Sequence, residues 1–111
     1  MARRRVEKID ATVTGEIDLT QEIADTPHVF IGVRFLDVDD LVVTPSGGTY
    51  SIKVLTYGID DFQSIPDGDN IDATADPVAL SFATNATTLQ YTPVSVTGAV
   101  SVQISVTGNR S

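Results

Sequence analysis

Cysteine is absent from this chain of 111 residues. Without a thiol there is no disulfide, no thiolate metal site and no cysteine nucleophile. Tryptophan is absent as well, which leaves Tyr50, Tyr57 and Tyr91 as the amphipathic rings. A sugar-binding surface stacks its ligand on such rings, but all three lie in runs whose alternation marks them for a core. His28 is the single histidine; it follows Pro27 at the head of an apolar run, where a structural side chain is a better reading than a general base. No nucleophile elbow occurs, and nothing in so short a chain suggests a deep cleft that would raise a carboxyl pKa. The expectation is that the protein is not an enzyme.

Positive charge is scarce. Seven basic residues stand against 15 acidic ones, a net charge of -8, so the general surface is a poor match for nucleic acid or anionic membrane. No run approaches the roughly 18 apolar residues of a membrane span. Met-Ala-Arg-Arg-Arg is followed by Val-Glu-Lys-Ile-Asp, where a signal peptide would need an apolar core. A soluble chain without an export signal is expected. Helical periodicity is missing beyond one or two turns.

What is present is a period of two. Val100, Val102, Ile104 and Val106 alternate with Ser101, Gln103, Ser105 and Thr107, which puts β-branched residues on one face of a strand and polar ones on the other. Val94 and Val96 alternate ahead of them, and Thr97-Gly98 intervenes with a glycine able to take positive φ. The spacing predicts a C-terminal hairpin within Tyr91 to Thr107. Its apolar face needs a second sheet to cover it.

Earlier in the chain, Val6 to Thr14 reads as a strand ended by Gly15. Ile17 and Leu19 suit a second strand, or a helical turn between Thr20 and Asp25. His28 to Leu36 is apolar on both faces, as in a central or covered strand. A short run from Leu41 leads to the turn Pro45-Ser46-Gly47-Gly48. Then Tyr50, Ile52 and Val54 share a face before the parity switches to Leu55 and Tyr57, the mark of a bulge or a change of sheet. Gly58 to Pro77 predicts a loop of about 20 residues, long enough to be functional or mobile. Val78 to Phe82 and the run from Leu89 are strands, the latter with Pro93 at a second parity switch, hence a bulge or an edge. The whole predicts an all-β chain: a two-layer antiparallel sandwich, jelly-roll or immunoglobulin-like, of about eight short strands. Residues 1–5 would form a basic arm and residues 6–111 one domain.

Two charge clusters suggest sites. Asp67-Gly68-Asp69-Asn70-Ile71-Asp72 gathers oxygen donors in a short glycine-containing loop, as calcium requires. The usual pattern puts an oxygen donor at the fifth position and glutamate at the twelfth; here the fifth is Ile71 and the glutamate is missing. A solvated acidic loop competes with Asp67, Asp69 and Asp72 as calcium ligands, and no other cofactor is indicated. Arg3, Arg4 and Arg5 supply three of the basic residues. They are either a solvated tail or an arm that docks on acidic surface of another protein chain.

The basic start Met-Ala-Arg-Arg-Arg, the Ser/Thr/Val-rich strands without cysteine or tryptophan, and the terminal run from Val94 to Val106 together give the chain a resemblance. It is similar in style to small accessory proteins of tailed-bacteriophage virions: capsid decoration proteins and related head or tail adaptors built on β-sandwiches. The resemblance implies a non-enzymatic virion protein, decorating or stabilising a capsid or serving at the head–tail junction. Its partners would be copies of itself and a capsid or tail protein, with no sequence-specific nucleic acid and no membrane. The alternative on the same strands is a carbohydrate-binding or adhesion module.

Overall fold

A computed structural model of the chain describes residues 2–19, 28–56, 58, 60–65, 67–75, 78–82 and 86–109, with backbone alone at Ala2, Arg3, Arg4, His28, Thr56, Val78, Ala79, Ser81, Phe82 and Asn109. Every regular element among them is a strand: β1 (Ala2–Asp10), β2 (Gly15–Asp18), β3 (His28–Leu36), β4 (Val42–Val43), β5 (Gly47–Thr56), β6 (Phe62–Ser64), β7 (Ile71–Asp72), β8 (Val78–Phe82), β9 (Ala86–Thr97) and β10 (Ser101–Asn109). The alternative of a helical turn from Thr20 to Asp25 lies outside the described residues.

The strands form two sheets of five, antiparallel throughout. The first runs β1-β10-β3, and the far side of β3 is shared by β4 at Phe35 and Leu36 and by β8 along Val29 to Val33. The second repeats that plan as β2-β9-β5, with β6 along Lys53 to Leu55 and β7 at Thr49 and Tyr50. This is the two-layer antiparallel sandwich that the alternation predicts.

The core lies between the layers. Val29, Ile31, Val33 and Phe35 of β3, with Val102, Ile104 and Val106 of β10, face Ile52 of β5 and Leu89 and Tyr91 of β9, all buried. Each such side chain, taken wholly from water, contributes on the order of 1.5–3 kcal/mol. Phe35 meets Tyr50 edge-on with centroids 5.5 Å apart, and Tyr50 meets Tyr91 at 5.8 Å, so an aromatic column bridges the sheets.

Three expectations need correction. The C-terminal hairpin does not form: β9 pairs with β2 and β5, whereas β10 pairs with β1 and β3. Gly98 does take positive φ, 86°, but the turn carries the chain between layers. Val96 and Val102 therefore bury into the core from opposite sides, while Val94 and Val100 stay exposed. Second, strand pairing does not wait for Val6: β1 starts at Ala2, opposite Asn109, and stops at Asp10, before the predicted Thr14. Third, the stretch from Gly58 to Pro77 is not one loop, because β6 and β7 both pair with β5.

The two parity switches are register irregularities in the β5–β9 ladder, one at Leu55 and Thr56, the other between Gly47 and Thr49 where Ser95 takes a φ of 56°. Pro93 lies beyond Tyr91, the last residue of β9 that β2 pairs, so it borders an open flank that tolerates a missing donor.

Candidate interaction surfaces

Arg3, Arg4 and Arg5 sit on β1, an edge strand, in register with Gly108, Thr107 and Val106 of β10. Alternation sends Arg5 and Glu7 to one side of the strand, where Arg5 Nη2 lies 2.8 Å from Glu7 Oε1. Arg5 Nε is buried without an acceptor among the described residues. On the other side, Lys8 Nζ reaches Asp40 Oδ1 at 2.9 Å, an exposed pair of little energetic weight. Charges along an edge strand also discourage indiscriminate sheet extension.

Asp69 and Asp72 accept from different partners. Asp72 Oδ1 accepts from Thr74 N at 2.9 Å and Thr74 Oγ1 at 2.7 Å, and these bonds hold its pKa below the usual carboxylate value. Asp69 Oδ1 accepts from Ser64 Oγ at 3.2 Å. Asp67 takes a left-handed φ of 61° beside Gly68, whose carbonyl accepts from Ile52 N at 2.7 Å. Among the described residues no three histidine or acidic side chains form a group that could hold a metal ion.

The tyrosines divide by position. Tyr50 and Tyr91 are core residues, and burial pushes the Tyr50 hydroxyl up to about 12. The Tyr91 hydroxyl is raised also, first by burial and then by Tyr50 and Asp10. Neither ring is a platform for a sugar. Tyr57 lies outside the described residues, as does the side chain of His28. Between the sheets, Val33, Phe35, Val42, Tyr50, Asp72 and Ala73 line a cleft of about 150 Å³, below the several hundred Å³ of ordinary ligand pockets.

The feature that alternation does not reveal is at one end of the sandwich. Three connections meet there: residues 11–14 after β1, Asp37 to Leu41 after β3, and Gly98 to Val100 before β10. Backbone bonds join them, Ala11 N to Val100 O at 3.1 Å and Val100 N to Leu36 O at 2.9 Å. Asp37 builds the middle turn, accepting at Oδ1 from Asp39 N at 2.8 Å and Leu41 N at 3.0 Å. The turns, with neighbouring Val42, display Val13, Val38, Leu41, Val42 and Val100, from 53% exposed at Val100 to 79% at Val38. Isolated exposed apolar residues are ordinary; five at one tip are a surface. Asp10, Asp37, Asp39 and Asp40 lie in or next to the same turns. Val38 and Leu41 could have been flagged in the sequence only by their place in an aspartate-rich turn.

No helix among the described residues is long and apolar enough to cross a membrane. No curated protein matches the sequence. Among solved structures, the chain is similar to one reported under the description that Bacillus endospore appendages form a family of disulfide-linked pili, with a TM-score of 0.56 and 12% identity over 100% of this chain and 88% of that one. It is also similar to the SPBc2 prophage-derived protein YomS, with a TM-score of 0.55 and 10% identity over 97% of this chain and 96% of that one. At such identities the likeness is one of fold. The sequence itself matches a family profile over residues 2–111, and the chain belongs to that family, the domain of unknown function DUF7265.

Proposed function

We propose that the protein is a non-enzymatic structural subunit of a virion, acting through contacts with other protein chains as a capsid decoration or stabilising protein or a head–tail accessory. The observation that carries this reading is the apolar tip: five exposed aliphatic side chains on adjoining turns and the start of β4 in an otherwise acidic sandwich. Such a surface is suited to protein contact. Likeness of fold to a prophage-derived protein and to a pilus chain supports the same class of role. Any contact must be noncovalent with respect to disulfides, since this chain has no cysteine.

The test is reconstitution. Particles made without this protein are incubated with the purified chain and sedimented through a gradient. Co-migration that saturates supports the role. Protein left at the top of the gradient at every concentration contradicts it.

A further inference from the structure

We infer that two copies of this chain associate edge to edge: β1 pairs antiparallel with β1 of a second copy about a two-fold axis at Val6, which merges their β1-β10-β3 sheets into one. This goes beyond the role proposed above and does not depend on it.

The backbone supplies the surface. β1 pairs with β10 along all nine of its residues, Ala2 to Asp10, and has no partner on its other side among the described strands. One step past Asp10, Ala11 N donates to Val100 O, so the odd-numbered residues of β1 turn their backbone bonds toward β10. Ala2, Arg4, Val6, Lys8 and Asp10 turn theirs outward. Such a row of open donors and acceptors is where a further strand adds to a sheet.

Length points to the occupant. The opposite edge of the same sheet is divided between β4, of two residues, and β8, of five. Along the margins of the other sheet, β2 has four residues, β6 three and β7 two. Of the edges described, only β1 matches β1. Outward-turned residues must also meet outward-turned residues, and the antiparallel register centred on Val6 does this while overlapping the whole strand, with Ala2 opposite Asp10. It sets Arg5 of each copy directly opposite Glu7 of the other. Moving the axis to Arg5 or to Glu7 shortens the overlap and puts like charges face to face.

Arg5 and Glu7 lie on the core side of the sheet, in register with buried Val106 and Ile104, yet both are partly exposed at its margin. Arg5 Nη2 already meets Glu7 Oε1 of its own strand at 2.8 Å. A guanidinium has more N–H donors than one carboxylate takes up, so four side chains close a ring of alternating charge across the axis. On the outer face Val6, 45% exposed, meets Val6 of the second copy. Arg4 falls opposite Lys8, whose ammonium is held by Asp40 at 2.9 Å.

The experiment uses the full chain, in which the lack of cysteine makes a single introduced one a clean probe. Val6→Cys should oxidise to a covalent dimer, since Cα atoms paired at the axis stand about 5.5 Å apart, within disulfide reach. Lys8→Cys, offset from its own copy, should do so at least about tenfold more slowly. In sedimentation velocity the wild type should dimerise as concentration rises. Val6→Pro removes an N–H that β10 does not use and should weaken the dimer at least about tenfold. Glu7→Arg should weaken it too, and Arg5→Glu with Glu7→Arg should restore it. Circular dichroism confirms that the variants keep their strands. Amide exchange of the wild type needs no substitution: Arg4, Val6 and Lys8 should gain protection with concentration, while Arg5 and Glu7 are protected throughout. A wild type that is monomeric at every concentration overturns the inference, and successful reconstitution onto particles would then leave the structural role standing. A dimer whose Arg4, Val6 and Lys8 amides exchange freely, or one that survives Val6→Pro unchanged, overturns it equally.

Discussion

The hydroxyl of Tyr91 donates to the carbonyl oxygen of Ala11 at 2.8 Å, within the core and across 80 positions of sequence. Tyr91 belongs to β9 in one sheet, and Ala11 follows β1 in the other. Ala11 N donates in turn to Val100 O, so one wholly buried residue joins the layers and anchors the tip.

Tyr91→Phe keeps the ring and removes this bond, leaving a buried carbonyl without its tyrosine donor. The expected cost is about 1–2 kcal/mol, a fall in melting temperature of roughly 4–10 °C for a domain of this size. Thermal denaturation followed by circular dichroism measures it; an unchanged midpoint would mean that water replaces the hydroxyl at no cost.

Alkaline conditions should weaken the same region. Burial raises the Tyr50 hydroxyl from 10.0 to about 12, and Tyr91 moves in the same direction. Between those values the unfolded chain loses the Tyr50 proton and the folded chain keeps it. The associated stability is therefore intact below pH 10 and lost as pH rises toward 12, roughly 3 kcal/mol for Tyr50. Urea midpoints from pH 8 to 12 should decline beyond 10, and Tyr50→Phe should flatten the decline. A level profile in the wild type would exclude the linkage.

Two glycines separate conformation from space. Gly48 has a φ of 101°, and a Cβ there would lie 2.5 Å from both Ser95 O and Val96 Cα, backbone atoms that cannot move aside cheaply. Gly48→Ala should cost roughly 2–5 kcal/mol. Gly58 has a φ of 84° with nothing near the added atom, so Gly58→Ala should cost only about 1–2 kcal/mol. Equal effects on chemical denaturation would contradict the close approach of β5 to β9.

The acidic segment predicts a response to protons rather than to calcium. Thr74 lowers the pKa of Asp72, and Thr12 lowers that of Asp10. Their contributions are present above the ordinary value of 3.8 and lost as pH falls through the lowered values. Asp72→Asn should reduce the acid sensitivity of unfolding. Adding calcium or a chelator should leave the melting temperature unchanged; a shift abolished by Asp69→Ala would instead support Asp67, Asp69 and Asp72 as calcium ligands.

How much of this was legible depends on what alternation encodes. Val102, Ile104 and Val106 are buried as their period of two predicts, and Tyr50 and Tyr91 are core residues as their runs implied. Alternation says which face of a strand is covered, not which neighbour it pairs with. The β10 partners come from β1 and β3, far away in sequence, so a strong period and a suitable glycine suggested a hairpin where the chain crosses between sheets. Short strands such as β7, two residues long, carry too little pattern to be seen in an acidic stretch. The tip was invisible for a related reason. Val13, Val38 and Val100 come from three separate turns and share no period, and only the folded register of β1, β10 and β3 brings them together.

The proposed role is that of a stoichiometric building part acting through contact. The most direct measurement is its copy number, by quantitative mass spectrometry of gradient-purified particles from cells that produce it, against a major shell protein as reference. A fixed ratio, reproducible between preparations and retained through a high-salt wash in part or whole, is the predicted result. A variable trace amount, with the bulk of the protein recovered free of particles, would contradict the account.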